Sequence, residues 1–375
     1  MNADAETPPL RAAHIFLSMP VGGAEDLTVG LMSQMPPSIS VIPICLRQLG
    51  PVGEEVRKTG REIHHLPVAP TKRLNLPGIL RLSRWLREHR IRVVHTQVYH
   101  AHVYGVLAAW RAGIPAIIHH QKTYRDLKWR RTVIMRWLTR LAAAQITLSE
   151  KSRADICAAF KARPEEVFVL PNAVDTSRFR PAGDRAALRM GLGLPPHAFL
   201  VGTVASLTHP KNHAANLAMW AAARQSGVDG CFVLCGEGPL RDELARLRDS
   251  LGLQDSCQFL GNRRPVHPWM QALDLFVLCS TWEGQPLAIL QAMACQIPVI
   301  ASRIEGNVAA LGADHPGLFS LEDPAEFPNR VLRCYKDPSF RQAILDYQQH
   351  RSPKVMSVGE AAVFLSRLYH QLASP

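Results

Sequence analysis

The chain has 375 residues, 43 Lys plus Arg against 31 Asp plus Glu, and a formal net charge of +12. Apolar residues make up 47% and charged residues 20%, which excludes a disordered chain; that length buries a large core without disulfide staples. At roughly 150 residues per domain, the length predicts two domains or three.

In chain order, the first half alternates strand-like and helix-like segments. Residues 13–18 read as a buried strand that ends in a Gly22-Gly23 loop, and a helix follows from Ala24. Residues 41–46 read as a second strand, with Pro43 arguing for an edge position. Apolar residues at 79, 80, 82, 85 and 86 give residues 78–89 a helical period. A short strand follows at 93–95, a helix at 101–112 closed by Gly113, and strands at 115–120 and 145–149. The stretch 180–198 is punctuated by Gly and Pro and reads as the break between domains. Beyond it the rhythm resumes, with strands at 199–205, 230–235, 257–260, 275–279 and 299–301. This alternation predicts an α/β fold of two parallel-sheet domains facing across a cleft. Their boundaries are expected at 1–185 and 186–358, with residues 359–375 a final helix. Ligands are expected at the carboxyl ends of the strands.

The charge is unevenly divided. Residues 1–185 hold 27 basic and 15 acidic side chains, and residues 186–375 hold 16 of each. Residues 121–140 alone hold seven basic side chains and one acidic. On a helical wheel Leu127, Ile134, Trp137, Leu138 and Leu141 form one face, with Arg125, Lys128, Arg136 and Arg140 opposite. Arg130 and Arg131 fall among the apolar positions, so the helix is expected to begin after them. A solvated basic face on a core helix is one reading. The other is an acceptor or membrane patch made of Arg125, Lys128, Arg130, Arg131, Arg136 and Arg140, docking on anionic head groups or a phosphorylated saccharide-lipid. The patch belongs to no recognised nucleic-acid module, so nucleic acid is not expected as a partner.

The N-terminal sixteen residues lack a basic start and an apolar run, and no stretch approaches 18 uncharged apolar residues. Neither a signal peptide nor a spanning helix is expected. The eight cysteines are scattered, and only Cys231 and Cys235 are close. They read as reduced, buried thiols of a cytoplasmic protein.

Four loops carry chemistry. Gly22-Gly23 sits between a strand and a helix, where glycine lets backbone amides approach a phosphate or a sugar. A plain tight turn would read the same. Thr208-His209-Pro210-Lys211-Asn212 follows a strand and places a lysine where a diphosphate would lie. Gly236-Glu237-Gly238-Pro239 forces a sharp turn. In Ser280-Thr281-Trp282-Glu283-Gly284-Gln285-Pro286-Leu287 a strand ends, an acid and a glycine follow, and an apolar helix begins. Its first-turn amides suit an anion, and Glu283 either fixes sugar hydroxyls or caps the helix.

These loops, in this order, resemble the family 4 retaining glycosyltransferases of the GT-B fold. The family's E-x7-E element resembles Glu283 through Gln291, followed by AMAC-x-x-PVIAS at 292–302. Pro171-Asn172-Ala173-Val174-Asp175, Phe259-Leu260-Gly261 and Asp274 match its other landmarks. The resemblance implies a nucleotide-sugar donor, a UDP-sugar being favoured, with no cofactor and no metal. Lys211 would neutralise the diphosphate and Glu283 would meet the sugar. Gly22, Gly23, Ser206, Gly236, Gly238, Gly284, Gln285, Pro286, Leu287 and Gln291 would complete the donor site. The implied acceptor is a lipid-linked or lipopolysaccharide-type saccharide at the cytoplasmic membrane face.

Three departures stand out. The family's arginine five residues before its lysine is Ser206, for which His209 or Arg263 would substitute. Its second acid is Gln291, whose amide could still accept from and donate to ribose hydroxyls. Its N-domain histidine falls at Gln121 by strict spacing, with His120 and then His119 the preferred catalytic candidates. The other readings are a sugar-nucleotide 2-epimerase of the same fold, a basic nucleic-acid-binding protein, and a degenerate transferase that only binds.

Overall fold

The computed structural model describes residues 8–69, 74–120, 129–350 and 352–374. The chain divides into two compact units, Met1–Ala173 with Met356–Pro375, and Val174–Val355.

The first unit is built on seven strands: β1 (Leu10–Phe16), β2 (Ile39–Cys45), β3 (His64–His65), β4 (Val93–Thr96), β5 (Ala116–His120), β6 (Ala144–Thr147) and β7 (Val167–Val169). They pair in parallel in the order β3-β2-β1-β4-β5-β6-β7. Both faces are covered, which is why the strands read as near-continuous apolar runs. On one face Ala13, Ile15, Val94 and Ile118 pack against helices Leu76–Glu88, Tyr99–Ala112 and Glu150–Phe160. On the other, Ala12, Val93, Ile117 and Ile146 pack against helix Val358–Ala373 through Ala362, Leu365 and Tyr369. That final helix belongs to the first unit. Ser357 and Glu360 cap each other's backbone at its start, the Ser-x-x-Glu box. Pro43 is not on an edge strand, because β3 flanks β2; but β3 pairs only with Ile44 and Cys45 and leaves Pro43 beyond it.

The chain leaves the first unit through β8 (Ala173–Val174). The second unit holds β9 (Phe199–Val204), β10 (Gly230–Cys235), β11 (Cys257–Gly261), β12 (Leu275–Leu278), β13 (Val299–Ser302) and β14 (Leu318–Phe319). This sheet is also parallel, in the order β11-β10-β9-β12-β13-β14. The chain passes back at β15 (Met356–Ser357), which pairs with β8.

The units meet in sequence at 173/174 and 355/356 rather than at 185/186 and 358/359. The Gly/Pro-punctuated stretch lies inside the second unit. Its helix Arg185–Gly191 is tied to the sheet: the buried Arg189 guanidinium donates to Asp274 at 2.7 Å and to the Ala272 carbonyl at 2.8 Å, and Arg185 reaches Asp274 at 3.0 Å. Composition marked a loop, and the ion pairs make it part of the domain. Divided this way, the first unit carries 25 basic against 14 acidic residues and the second 18 against 17. All eight cysteines are free.

Candidate active site

In the second sheet, successive strands run outward to one side from β9 and to the other from β12. β9 and β12 are neighbours, so the strand order reverses between them. In an open parallel sheet, the crevice outside the carboxyl ends at this point is where ligands bind. The loops after these two strands are the second and fourth singled out above. They touch: the Thr281 amide donates to the Pro210 carbonyl at 2.9 Å, and the Lys211 ammonium pairs with the Glu283 carboxylate.

Each loop is braced. After β9, Ala205 and Leu207 donate to the carbonyls of Cys235 and Glu237, both at 3.0 Å, so this loop is zipped to the turn after β10. Gly236 sits at φ +150°, and a Cβ there would lie 2.0 Å from the Ala205 carbonyl oxygen. A Cβ on Gly238 would lie 2.4 Å from the Leu207 oxygen. The glycines of this turn permit close backbone approach. Asn212, left-handed at φ +49°, then turns the chain into helix His213–Gln225. His213 is buried, which lowers its pKa to about 4, so at neutral pH its Nε2–H donates to the Ser206 carbonyl at 3.1 Å.

After β12, the Ser280 hydroxyl donates to Glu283 Oε1 at 2.7 Å. The Ser302 hydroxyl at the end of β13 donates to the Ser280 carbonyl at 2.5 Å and accepts from the Asn307 amide at 3.1 Å. A Cβ on Gly306 would lie 2.6 Å from the Glu283 carbonyl oxygen, so only glycine lets the helix Glu305–Leu311 back the loop this closely. Ser302, Gly306 and Asn307 were not expected as site residues, since nothing in their spacing shows that β13 lies beside β12. Helix Leu287–Ala294 starts behind Pro286 with no side-chain cap; the Ile289 amide donates to the Pro286 carbonyl at 3.1 Å, which leaves the Leu287 and Ala288 amides as the first-turn donors the helix does not use.

Each expected donor residue has a definite place. Glu283 is hydrogen-bonded by Ser280 and Lys211 rather than capping the helix. Ser206 is exposed, its hydroxyl 3.4 Å from that of Thr208. Of its suggested substitutes, His209 is exposed and Arg263 stacks its guanidinium 4.9 Å from the Trp269 ring centroid. Gln291 is buried on helix Leu287–Ala294. Gly284, Gln285, Pro286 and Leu287 form the turn into that helix.

In the first unit the order reverses between β1 and β4, and Gly22-Gly23 follows β1. Gly22 is extended (φ −173°), so backbone strain does not call for glycine; a Cβ there would lie 2.5 Å from the Glu25 carboxylate. Burial raises the pKa of Glu25, in the first turn of helix Gly23–Gln34, to about 7, an acid beside this loop that sequence reading overlooked. His119 and His120 end β5, both fully buried, and burial lowers their pKa values to about 3 and about 4. They face opposite sides of the sheet. His119 meets His95, and His120 Nε2 lies 2.8 Å from Gln145 Oε1. Gln121, Arg125 and Lys128 lie outside the described residues.

Helix Trp129–Leu141 corrects the wheel. It includes Arg130 and Arg131, and it buries Met135, Leu138 and Thr139. Ile134 and Trp137, expected in the core, are exposed with Trp129 and Val133, Trp129 by 71% and Trp137 by 49%. The i, i+3, i+4 spacing of 135, 138 and 139 chose the other side. Arg130, Arg131, Arg136 and Arg140 are all exposed among these apolar side chains.

The chain matches two family models: "Glycosyltransferase Family 4" over residues 21–178 and "Glycosyl transferases group 1" over residues 198–337. It is 27% identical over 88% of its length, and 88% of the relative's, to the UDP-Gal:alpha-D-GlcNAc-diphosphoundecaprenol alpha-1,3-galactosyltransferase of Escherichia coli. It is 30% identical to the lipopolysaccharide core biosynthesis mannosyltransferase LpsB of Rhizobium meliloti, over 54% of this chain and 60% of that one. Among solved structures, Anabaena Alr3699/HepE in complex with UDP and glucose superposes with a TM-score of 0.82 at 21% identity, covering 96% of this chain and all of that one. The sucrose-phosphate synthase of Thermosynechococcus elongatus does so with a TM-score of 0.78 at 18% identity, covering 97% and 99%. The fold is therefore GT-B, and with one model on each unit the chain belongs to the glycosyltransferases, a family 4 domain followed by a group 1 domain.

Proposed function

We propose that this glycosyltransferase moves a hexosyl or N-acetylhexosaminyl unit, with retention, from a UDP-sugar to a lipid-linked or lipopolysaccharide-type saccharide. The observation that carries this is the Lys211–Glu283 pair at the switch point of the second sheet. In the free protein each charge satisfies the other. A nucleotide-sugar exchanges these partners, its diphosphate taking Lys211 and its sugar hydroxyls taking Glu283. Lys211 and the first-turn amides of helix Leu287–Ala294 then stabilise the charge that develops on the leaving phosphate. The acceptor hydroxyl attacks from the face the nucleotide leaves, and the departing phosphate takes its proton. No residue here needs to form a covalent bond to sugar. Relatives and neighbours named for UDP, UDP-galactose and a diphosphoundecaprenol-linked sugar support this donor and acceptor class.

A thermal-shift and nucleotide-release screen across UDP-, GDP- and ADP-sugars tests it. A ligand at a hundred times its Kd adds about 2.7 kcal/mol. That is a rise of roughly 5–10 °C for a domain of this size. The UDP series is expected to shift the melting point and to release UDP with acceptor, with the product's anomeric configuration unchanged. A melting point that no nucleotide moves would refute the donor site.

The acceptor side is read as peripheral to an anionic membrane at its cytoplasmic face. No helix among the described residues is long and apolar enough to cross a membrane. Helix Trp129–Leu141 instead turns aromatic, aliphatic and guanidinium side chains outward together, the composition of an element lying in a lipid interface. The four arginines contribute about 1 kcal/mol each near an anionic surface. Changing Arg130, Arg131, Arg136 and Arg140 to Ser is expected to weaken binding to phosphatidylglycerol vesicles by about a thousandfold at low salt. Trp129→Ser with Trp137→Ser should remove the part of binding that survives high salt. Sedimentation that neither set alters rejects the membrane assignment.

A further inference from the structure

The first unit buries five histidines, and three of them form one hydrogen-bonded row with a tyrosine from the returning helix. The Tyr369 hydroxyl lies 2.7 Å from His14 Nε2 on β1 and 2.6 Å from His95 Nδ1 on β4. His95 Nε2 lies 3.1 Å from His119 Nδ1 on β5. Register explains the alignment. His14 is paired with His95, and His95 with Ile117, two residues before His119, so all three rings project from the face that helix Val358–Ala373 covers. Each of the four side chains is at most 4% exposed. The two outer nitrogens, His14 Nδ1 and His119 Nε2, are buried without a hydrogen-bond partner among the described residues.

Burial lowers the pKa of all three histidines, and repulsion from neighbouring histidines adds to it, so each ring is neutral and carries one N–H. A hydroxyl has one proton, so Tyr369 donates to one histidine and accepts from the other. Only two proton patterns then make all three bonds. In the first, His14 Nε2–H donates to Tyr369, Tyr369 to His95 Nδ1, and His95 Nε2–H to His119 Nδ1; His119 carries its proton on Nε2. In the second every bond is reversed, and His119 Nε2 presents a bare lone pair. Conversion takes one proton in at His14 Nδ1, three handed along the row and one out at His119 Nε2, so every ring starts and ends neutral.

We infer that Tyr369 is a positioning residue: through His95 it locks the tautomer of His119 to that of His14, so that the donor or acceptor His119 offers at the carboxyl end of β5 changes only with the whole row. This rests on the reading of His119 as a site residue. A buried, unpaired polar nitrogen costs free energy unless a ligand group meets it. A saccharide hydroxyl, donor and acceptor at once, suits either pattern. The neighbouring pair shows the contrast. Thr96 donates its hydroxyl to the Ile117 carbonyl at 2.9 Å and so accepts from His102 Nδ1–H at 2.8 Å, which fixes His102 in one tautomer independently of the row.

Ring-nitrogen NMR of the full chain labelled with 15N-histidine tests this at neutral pH, wild type against Tyr369→Phe, with His14→Gln as a second variant. In the wild type, His119 is expected to show one protonated and one bare nitrogen as distinct signals. In Tyr369→Phe those signals should move towards a tautomer average, although the change lies two links away, while His102 stays put. In a transfer assay kcat should fall roughly tenfold with KM for the donor unchanged, the low end of what losing an orienting partner costs. His119 signals unmoved in both folded variants overturn the proposal, as does a moved spectrum with unaltered kcat. Wild-type protein that transfers no sugar would instead fail the functional reading while the spectra still decide the row.

Discussion

Lys211→Ala is expected to lower kcat by roughly a hundred- to a thousandfold, the usual loss when one preorganised group facing developing charge is removed. The second unit offers little to compensate. Its net charge is near zero, and Ser206 stands where the resemblance implies an arginine, so the proposed diphosphate recognition rests on Lys211 and loop amides. The fold should tolerate the change. Lys211 is partly exposed, and the Glu283 left behind keeps the Ser280 hydroxyl. The melting point should therefore fall by only a few degrees, on the order of the 1 kcal/mol that a partly exposed pair contributes. Glu283→Gln separates the roles. It keeps a hydrogen-bonding group for the sugar but frees the lysine, so donor binding should tighten or hold while kcat drops. Single-turnover rates and donor Kd for both variants check this. A Lys211→Ala enzyme that turns over at the wild-type rate would remove the lysine from the mechanism.

Lowering the pH from 7 to 4 should unfold the first unit before the second. His14, His95, His102, His119 and His120 are all pushed below the ordinary histidine range, chiefly by burial, His14 and His119 to about 3 and His120 to about 4. The folded unit thus binds fewer protons than the unfolded one between those values and about 6.5. The stability these groups contribute is complete above pH 6.5 and is lost as pH falls. Each shifts the folding equilibrium tenfold per pH unit. Glu25 acts in the opposite sense: burial raises it to about 7, so its proton favours the folded state between that value and the ordinary carboxyl range, one group against five. Among the described histidines of the second unit, His213 and His315 have lowered values, both about 4, with a milder shift at His267; hydrogen bonds also hold the Glu326 and Asp337 carboxyls low there, as they do Glu62 in the first unit. Hydrogen exchange resolved by peptide should show β1, β4 and β5 losing protection near pH 5 while β9 and β12 stay protected. Simultaneous loss in both sheets would contradict this.

The sequence made some of this legible and hid the rest for physical reasons. Strand and helix periods are local, so the two parallel sheets were readable. Only strands of two or three residues escaped, such as β3 and β14, too short to show a period. The lysine and glutamate loops were readable as loops at strand ends because glycine, proline and charge break the apolar run after each strand. Adjacency of strands was not readable. Ser302 and Asn307 brace Glu283 only because β13 lies beside β12. The row through His14, His95, His119 and Tyr369 likewise joins residues from four distant segments. Helix Trp129–Leu141 failed differently. Its outward face is apolar enough to pass for a core face, so the wheel could not choose.

The returning helix also sets an order of assembly during synthesis. The second unit is contiguous from 174 to 355 and can close its core as it leaves the ribosome. The first unit cannot, although it is made earlier. Until residues beyond 356 emerge, Ala12, Val93, Ile117 and Ile146 line a sheet face that lacks its last covering helix, and His14 and His95 lack the tyrosine between them. The half translated first is therefore completed last. Its incompletely covered face is the surface that a nascent-chain chaperone would hold and that premature termination would leave sticky.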